Sequence, residues 1–242
     1  MLKDNVKYHS ERLNNNVTFK EFSSDKELIN ILSSRIEKIF KNRLKKNKKL
    51  WFVSCGGNTP KLLLQELSGK NINWKNVKVT LTDERLVHID NPMSNEKMVA
   101  HNLLRGNAAS ASLFGLCENN DVGKVNFSSK NEFLNTIDKI DFLLLGMGTD
   151  GHVASIFPND PNLSDLLNPN NKSLYSNVSI KSLVHKRVTL NYSFLSRSRK
   201  TILYIKGKEK KNIIKDSIKN RYKKKKPISI FIQKPIEVYW CP

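Results

Sequence analysis

Residues 140–155 read IDFLLLGMGTDGHVAS. The run from Ile140 to Leu145 is almost continuously apolar, as expected of a short strand buried on both faces in a parallel sheet covered by helices. It stops at once in a stretch with glycine at 146, 148 and 151, and with Asp150 and His152 two residues apart. A buried strand that breaks into a glycine turn bearing an acid and an imidazole predicts a site at the carboxyl edge of such a sheet, where the ligands of open α/β folds collect.

The flanking chain repeats the pattern. Ser24-Asp25-Lys26-Glu27 has capping-box spacing, and Leu28, Leu32, Ile36, Ile39 and Phe40 follow at helical intervals, which predicts a helix from about residue 25 to 45. Leu50 to Ser54 predicts a buried strand, and after CGGN the segment Thr59 to Leu67 predicts a helix with Pro60 in its first turn. Strands are expected at 77–81, 112–116, 187–190, 201–205 and 228–232, and helices at 94–104, 130–138 and 208–221. Residues 158–172, rich in Pro, Asn and Asp, predict a long irregular loop. With no internal repeat and no linker, the expectation is an α/β fold of three layers: a mostly parallel, Rossmann-like sheet with helices on both faces, residues 1–242 forming a single domain.

At 38% hydrophobic and 26% charged residues, the composition is that of an ordinary globular chain. No apolar stretch approaches bilayer length and the N-terminus lacks the apolar segment of a secretory signal, so a cytoplasmic protein with no membrane partner is expected. The three cysteines, Cys55, Cys117 and Cys241, form no C-x-x-C, against both a disulfide framework and a zinc site. A net charge of +20 invites a nucleic-acid reading. Yet the lysine runs at 41–49 and 223–226 flank predicted helix ends, where cations favour the macrodipole, and few aromatics are interleaved with them. No nucleic-acid partner is therefore expected, while the same positive field would help an anionic small substrate. Monomer and homodimer are equally compatible with the sequence.

Four strand ends carry candidate chemistry. In Ser54-Cys55-Gly56-Gly57-Asn58-Thr59-Pro60, Gly56 and Gly57 let backbone approach a ligand and the next helix points its N-terminus there, which suits a phosphate; a plain strand-to-helix turn capped by Thr59 fits equally. Thr82-Asp83-Glu84-Arg85 reads either as a solvated turn or as a site in which Arg85 forks onto phosphate and Asp83 faces a polar substrate. In the 146–155 stretch His152 suits proton transfer near neutral pH, with Asp150 to orient it and backbone N–H groups of the glycine turn as candidate donors to an oxyanion. No metal is expected, because D-x-H supplies two ligands and nothing nearby a third. Arg187-Val188-Thr189-Leu190 and Gly207-Lys208-Glu209-Lys210 each place a cation at the edge of a predicted strand, which alone says little in a chain with 42 basic residues.

Taken together, SCGGNTP at 54–60, Asp83 to Arg85 with Ser94, Asn95 and Met98 downstream, GMGTDGHVASIFP at 146–158, and Arg187 to Leu190 with Gly207 to Lys210 resemble the glucosamine-6-phosphate isomerase/6-phosphogluconolactonase family, in the family's order and over most of the chain. The resemblance implies hydrolysis of 6-phospho-D-glucono-1,5-lactone without any cofactor. It makes His152 the general base and Asp150 a residue that shapes the site. Phosphate would lie against Gly56, Gly57, Asn58 and Thr59, with Arg85, Arg187 and Lys210 as cationic partners and Asp83 near the sugar hydroxyls. The deaminases of the same family carry a glutamate just before the proline; here that place is Phe157, which moves no proton and favours the lactonase. His88 and the proline-free segment Ser179 to Lys186 depart from the family's pattern. Cys55 is read as a small buried residue, and His9, His101 and His185 as surface or packing residues.

Overall fold

The computed structural model describes residues 8–120, 124–127, 132–180, 183–220 and 226–242. Residues 223–225 of the second lysine run, the start of the helix expected from 130, and the last residue of the helix expected to reach 221 lie outside them. Thirteen strands and eight α-helices are found among the described residues. In chain order they are β1 (His9–Arg12), β2 (Val17–Glu21), α1 (Asp25–Lys46), β3 (Leu50–Ser54), α2 (Lys61–Ser68), β4 (Val77–Leu81), β5 (Asp83–Arg85), α3 (Asn95–Leu103), β6 (Ser112–Phe114), β7 (Cys117–Asn120), β8 (Lys124–Phe127), α4 (Glu132–Asn135), β9 (Phe142–Leu145), α5 (Leu163–Leu166), β10 (Tyr175–Asn177), β11 (Arg187–Leu190), α6 (Tyr192–Leu195), β12 (Thr201–Lys206), α7 (Lys208–Lys219), α8 (Ile228–Phe231) and β13 (Ile236–Cys241).

Eight strands form one sheet in the order β1-β2-β13-β12-β9-β3-β4-β6, parallel throughout except for the β1/β2 pair at its edge. The central strands are apolar because both faces are covered: every residue of β3 and β9 is buried. Helix α1 begins at Ser24, whose hydroxyl accepts from the backbone N–H of Glu27, and turns Leu28, Leu32, Ile36 and Phe40 to the sheet. The Phe40 ring meets Phe52, Trp74 and Phe142 edge-on.

Chain direction then fixes where a ligand can sit. From β3 the connections through α2 and α3 run outward to β4 and β6, whereas from β9 they run the other way to β12 and, through α7, to β13. Right-handed crossovers place helices from these two series on opposite faces. The crevice they leave open lies between the carboxyl ends of the adjacent strands β3 and β9. SCGGNTP follows the first and GMGTDGHVAS the second.

Two expectations about elements are corrected. A strand is expected at 228–232, but Ile228–Phe231 is a short helix that starts behind Pro227 in helical conformation, and Ile228 N–H donates to the Gly151 carbonyl at 3.1 Å. The true last strand is β13, which the sequence reading passed over together with β2, its parallel neighbour. In addition, α2 starts at Lys61 with Pro60 at the cap position, so Thr59 does not cap it.

At the amino-end side of β13, Glu237 meets Lys20 at 2.8 Å and also Lys200 and Arg35. Burial alone would raise its carboxyl, but the hydrogen bonds and charges of Lys20 and Lys200 overcome this and hold it at about 2. A depressed carboxyl stabilises the fold above its unfolded pKa, and that stabilisation disappears as pH falls through the folded value. Glu237→Gln is therefore expected to lose about 1.5–3 kcal/mol at pH 7. In denaturant melts from pH 7 down to pH 2 its deficit should shrink below about pH 4.5; a constant deficit would show that charge is not the cause.

Candidate active site

The crevice holds a cavity of about 230 Å³. Of the ten residues expected from the sequence, nine line it: Gly56, Gly57, Asn58 and Thr59 from the loop after β3, Asp83 and Arg85 from β5, His152 from the loop after β9, Arg187 from β11 and Lys210 from the first turn of α7. The tenth, Asp150, stands behind the histidine.

The turn after β9 is built to hold one imidazole. Asp150 Oδ1 accepts from the His152 backbone N–H at 3.0 Å and lies 2.7 Å from His152 Nδ1. That contact places the ring proton on Nδ1 and leaves Nε2 as the basic nitrogen. Gly151, at φ +84°, closes the turn, and a side chain at Gly148 would overlap both the His152 ring and the Asp150 carboxylate. Phe157 packs on the imidazole at 4.4 Å between centroids and covers its apolar face. The glycine turn is not a free set of donors, however. Gly148 N–H donates to the His152 carbonyl, Gly151 N–H to the Gly148 carbonyl, and His152 N–H to Asp150. The candidate oxyanion donors at these three positions are thus committed within the turn.

Facing the imidazole is a cationic wall that local sequence alone did not reveal. Strand β11 pairs antiparallel with β5, in a small three-stranded sheet completed by β10, and sets Arg187 directly across from Arg85. Like charges opposite one another on a sheet are destabilising unless an anion comes between them. Arg85 gives Nη1 to the Met93 carbonyl at 2.7 Å, and among the described residues Arg187 donates only to Ser155 Oγ, at a long 3.5 Å. The Nε atoms of both are buried with no hydrogen-bond partner among the described residues. Buried donors are as a rule satisfied, so two arginines lining one cavity, each with an unmet guanidinium nitrogen, form a group to which an anion is suited. Burial, then the nearby Arg85 charge, lowers the Arg187 guanidinium from its usual value, and burial lowers Lys210 likewise.

Asp83 is buried beneath this wall, its two carboxylate oxygens receiving the hydroxyls of Thr82 at 2.7 Å and Ser155 at 2.6 Å. Ser155 follows Ala154, which takes a left-handed φ of 54° on the cavity lining. Asn95 donates from Nδ2 to the Asp83 carbonyl at 2.9 Å and fills the space that a side chain at Gly56 would need. Asn95 lines the cavity and Ser155 holds Asp83 from beneath it, although neither was singled out as a functional residue. Cys55 is buried, and desolvation, then the Asp83 charge, pushes its thiol up to about 12, which leaves it unreactive. Among the described residues no three or more His, Cys, Asp or Glu side chains are grouped as a metal ion would require. No described helix is long and apolar enough to cross a membrane.

Fold and cavity define the class: a three-layer α/β protein with a polar, cation-rich crevice where its sheet changes direction. A family model described as glucosamine-6-phosphate isomerases/6-phosphogluconolactonase matches residues 23–240. The 6-phosphogluconolactonases of Rhizobium meliloti and Pseudomonas putida are 32% and 33% identical over 193 residues, covering 77% and 78% of this chain and 82% and 78% of theirs. The crystal structure of a 6-phosphogluconolactonase from Shewanella baltica shares the fold with a TM-score of 0.85 at 30% identity, over 96% of this chain and all of that one. The chain belongs to the glucosamine-6-phosphate isomerase/6-phosphogluconolactonase family.

Proposed function

We propose that this chain is a cytoplasmic hydrolase of one domain that converts 6-phospho-D-glucono-1,5-lactone to 6-phosphogluconate, in the oxidative pentose phosphate pathway. One observation carries the reading: an imidazole anchored through Nδ1 shares a small cavity with two arginines, Arg85 and Arg187, whose buried Nε atoms have no hydrogen-bond partner among the described residues. The relatives named above, lactonases of the same family, support it.

In this mechanism the phosphate of the substrate lies between Arg85 and Arg187, with Lys210 and the Gly56–Thr59 turn completing its cradle, and Asp83 faces the sugar hydroxyls. Fixing the phosphate presents the lactone carbonyl to His152. His152 Nε2 takes a proton from water as its oxygen adds to C1. The tetrahedral intermediate then expels the ring oxygen, which receives that proton from the imidazolium, leaving an open chain whose new carboxylic acid at C1 ionises and releases its proton to solvent. Asp150 keeps the ring in the tautomer this needs and stabilises it while charged. A lactone is already an activated ester, so positioning and one proton shuttle suffice, and no cofactor, nucleic acid or membrane is called on. Monomer and homodimer serve this chemistry equally.

The deaminase chemistry of the wider family needs a second proton-transfer group beside the histidine. Phe157 stands there with its ring against the imidazole and under the Arg187 guanidinium, 5.5 Å from its centroid. Purified protein is expected to accelerate acid release from freshly prepared 6-phosphogluconolactone far above its spontaneous rate, and to release no ammonia from glucosamine 6-phosphate. Acid release at the spontaneous rate, or ammonia production, would overturn the assignment.

A further inference from the structure

Glu84 sits between the two residues of β5 that face the cavity, yet its own side chain turns away, 2% exposed, into the gap between β5 and α3. Its Oε1 accepts the backbone N–H of Arg85 at 2.7 Å and of Asn95 at 2.8 Å, and its Oε2 accepts the backbone N–H of Glu96 at 2.7 Å and the hydroxyl of Ser94 at 3.2 Å. One carboxylate thus takes four donors. Two are N–H groups at the start of α3 that have no carbonyl within the helix to bond, and negative charge is favoured at that end.

This arrangement fixes more than a helix cap. Residues 86–94 form the loop joining β5 to α3, and Glu84 closes it at its base by tying Arg85 to Ser94, Asn95 and Glu96. The carbonyl that holds the Arg85 guanidinium belongs to Met93, the last loop residue before this tie. With Met93 held, Arg85 spends Nη1 on protein while its Nε has no hydrogen-bond partner among the described residues. Asn95, anchored by the same carboxylate, holds the Asp83 carbonyl and backs Gly56.

We propose that Glu84 is a positioning residue for phosphate binding, acting through the loop at 86–94 to aim Arg85 into the cavity. The proposal rests on the reading of Arg85 and Arg187 as the phosphate cradle. It accounts for an acid at the centre of the charged triplet Asp83-Glu84-Arg85, which sequence alone left open to reading as a solvated turn. It also assigns the loop a task separate from proton transfer, so loss of Glu84 is felt in binding and spares the step at His152.

The test combines titration calorimetry of inorganic phosphate with steady-state kinetics on the lactone for the wild type, Glu84→Ala, Glu84→Gln, Arg85→Ala and the Glu84→Ala/Arg85→Ala double variant. Glu84→Ala is expected to weaken phosphate binding and raise KM by about tenfold while kcat changes by no more than about threefold. Glu84→Gln keeps the size but one acceptor oxygen of two, and should retain a smaller loss of about threefold, which reads the same effect where the alanine variant does not fold. In the Arg85→Ala background the further loss from Glu84→Ala should vanish, because the two act in series. An equal phosphate affinity in wild type and the folded Glu84 variants, or a loss undiminished without Arg85, would overturn the role of Glu84 while leaving the cradle intact. A wild type that binds no phosphate would remove the cradle, and this role with it.

Discussion

Replacing His152 by alanine is expected to lower kcat/KM for the lactone by about 10²- to 10⁴-fold, the range ascribed to a positioned proton-transfer group, with the fold unchanged. The imidazole is part-exposed at a loop, so its removal empties no core. The loss should fall on kcat, because the cationic wall proposed to bind the phosphate is on separate elements, β5, β11 and α7. Asp150→Asn should reproduce part of the defect by presenting an amide where Nδ1–H needs an acceptor, whereas a nucleophilic role for Cys55 would leave both variants active. Stopped-flow acid release measured beside the thermal melt of each variant separates chemistry from stability. A His152→Ala enzyme with wild-type kcat would remove the histidine from the mechanism.

The second large effect is expected at Arg187. Arg187→Ala should raise KM by about 10- to 100-fold, the worth of one or two charge-assisted hydrogen bonds, with kcat affected less. Arg187→Lys should rescue poorly, since an ammonium cannot reproduce the planar fork beside Arg85 or lie over the Phe157 ring as the guanidinium does. Inorganic phosphate should inhibit the wild type competitively and the alanine variant much less. Unchanged KM and unchanged phosphate inhibition in Arg187→Ala would place the anion elsewhere.

What the sequence disclosed, and what it withheld, follows the range of the interactions involved. Strands β3, β4 and β9 and helix α1 were readable because burial on both faces, or on one helical stripe, is written in neighbouring residues. Residues 228–232 misled because a short apolar run does not by itself separate strand from helix, while Pro227 and the hydrogen bond to Gly151 make it one helical turn against the loop that carries His152. Strand β2 escaped because only alternate residues are buried, at 17 and 19.

The same division holds in the crevice. The glycine turn with Asp150 and His152 is a local device, and its 2.7 Å contact spans two residues. The antiparallel pairing of β5 with β11 joins residues about a hundred positions apart, so nothing near Arg187 announces that it faces Arg85. Ser155 and Glu84 were passed over for a related reason. Each is an ordinary polar residue locally, and each gains its meaning from a partner on another element, Asp83 for the first and the start of α3 for the second.

The crystal structure of the protein with 6-phosphogluconate tests the shared cavity most directly. The phosphate is expected within hydrogen-bond distance of the Arg85 and Arg187 guanidinium groups, and the C1 carboxylate within reach of His152 Nε2. A phosphate bound away from both arginines, or a C1 carboxylate remote from His152, would contradict it.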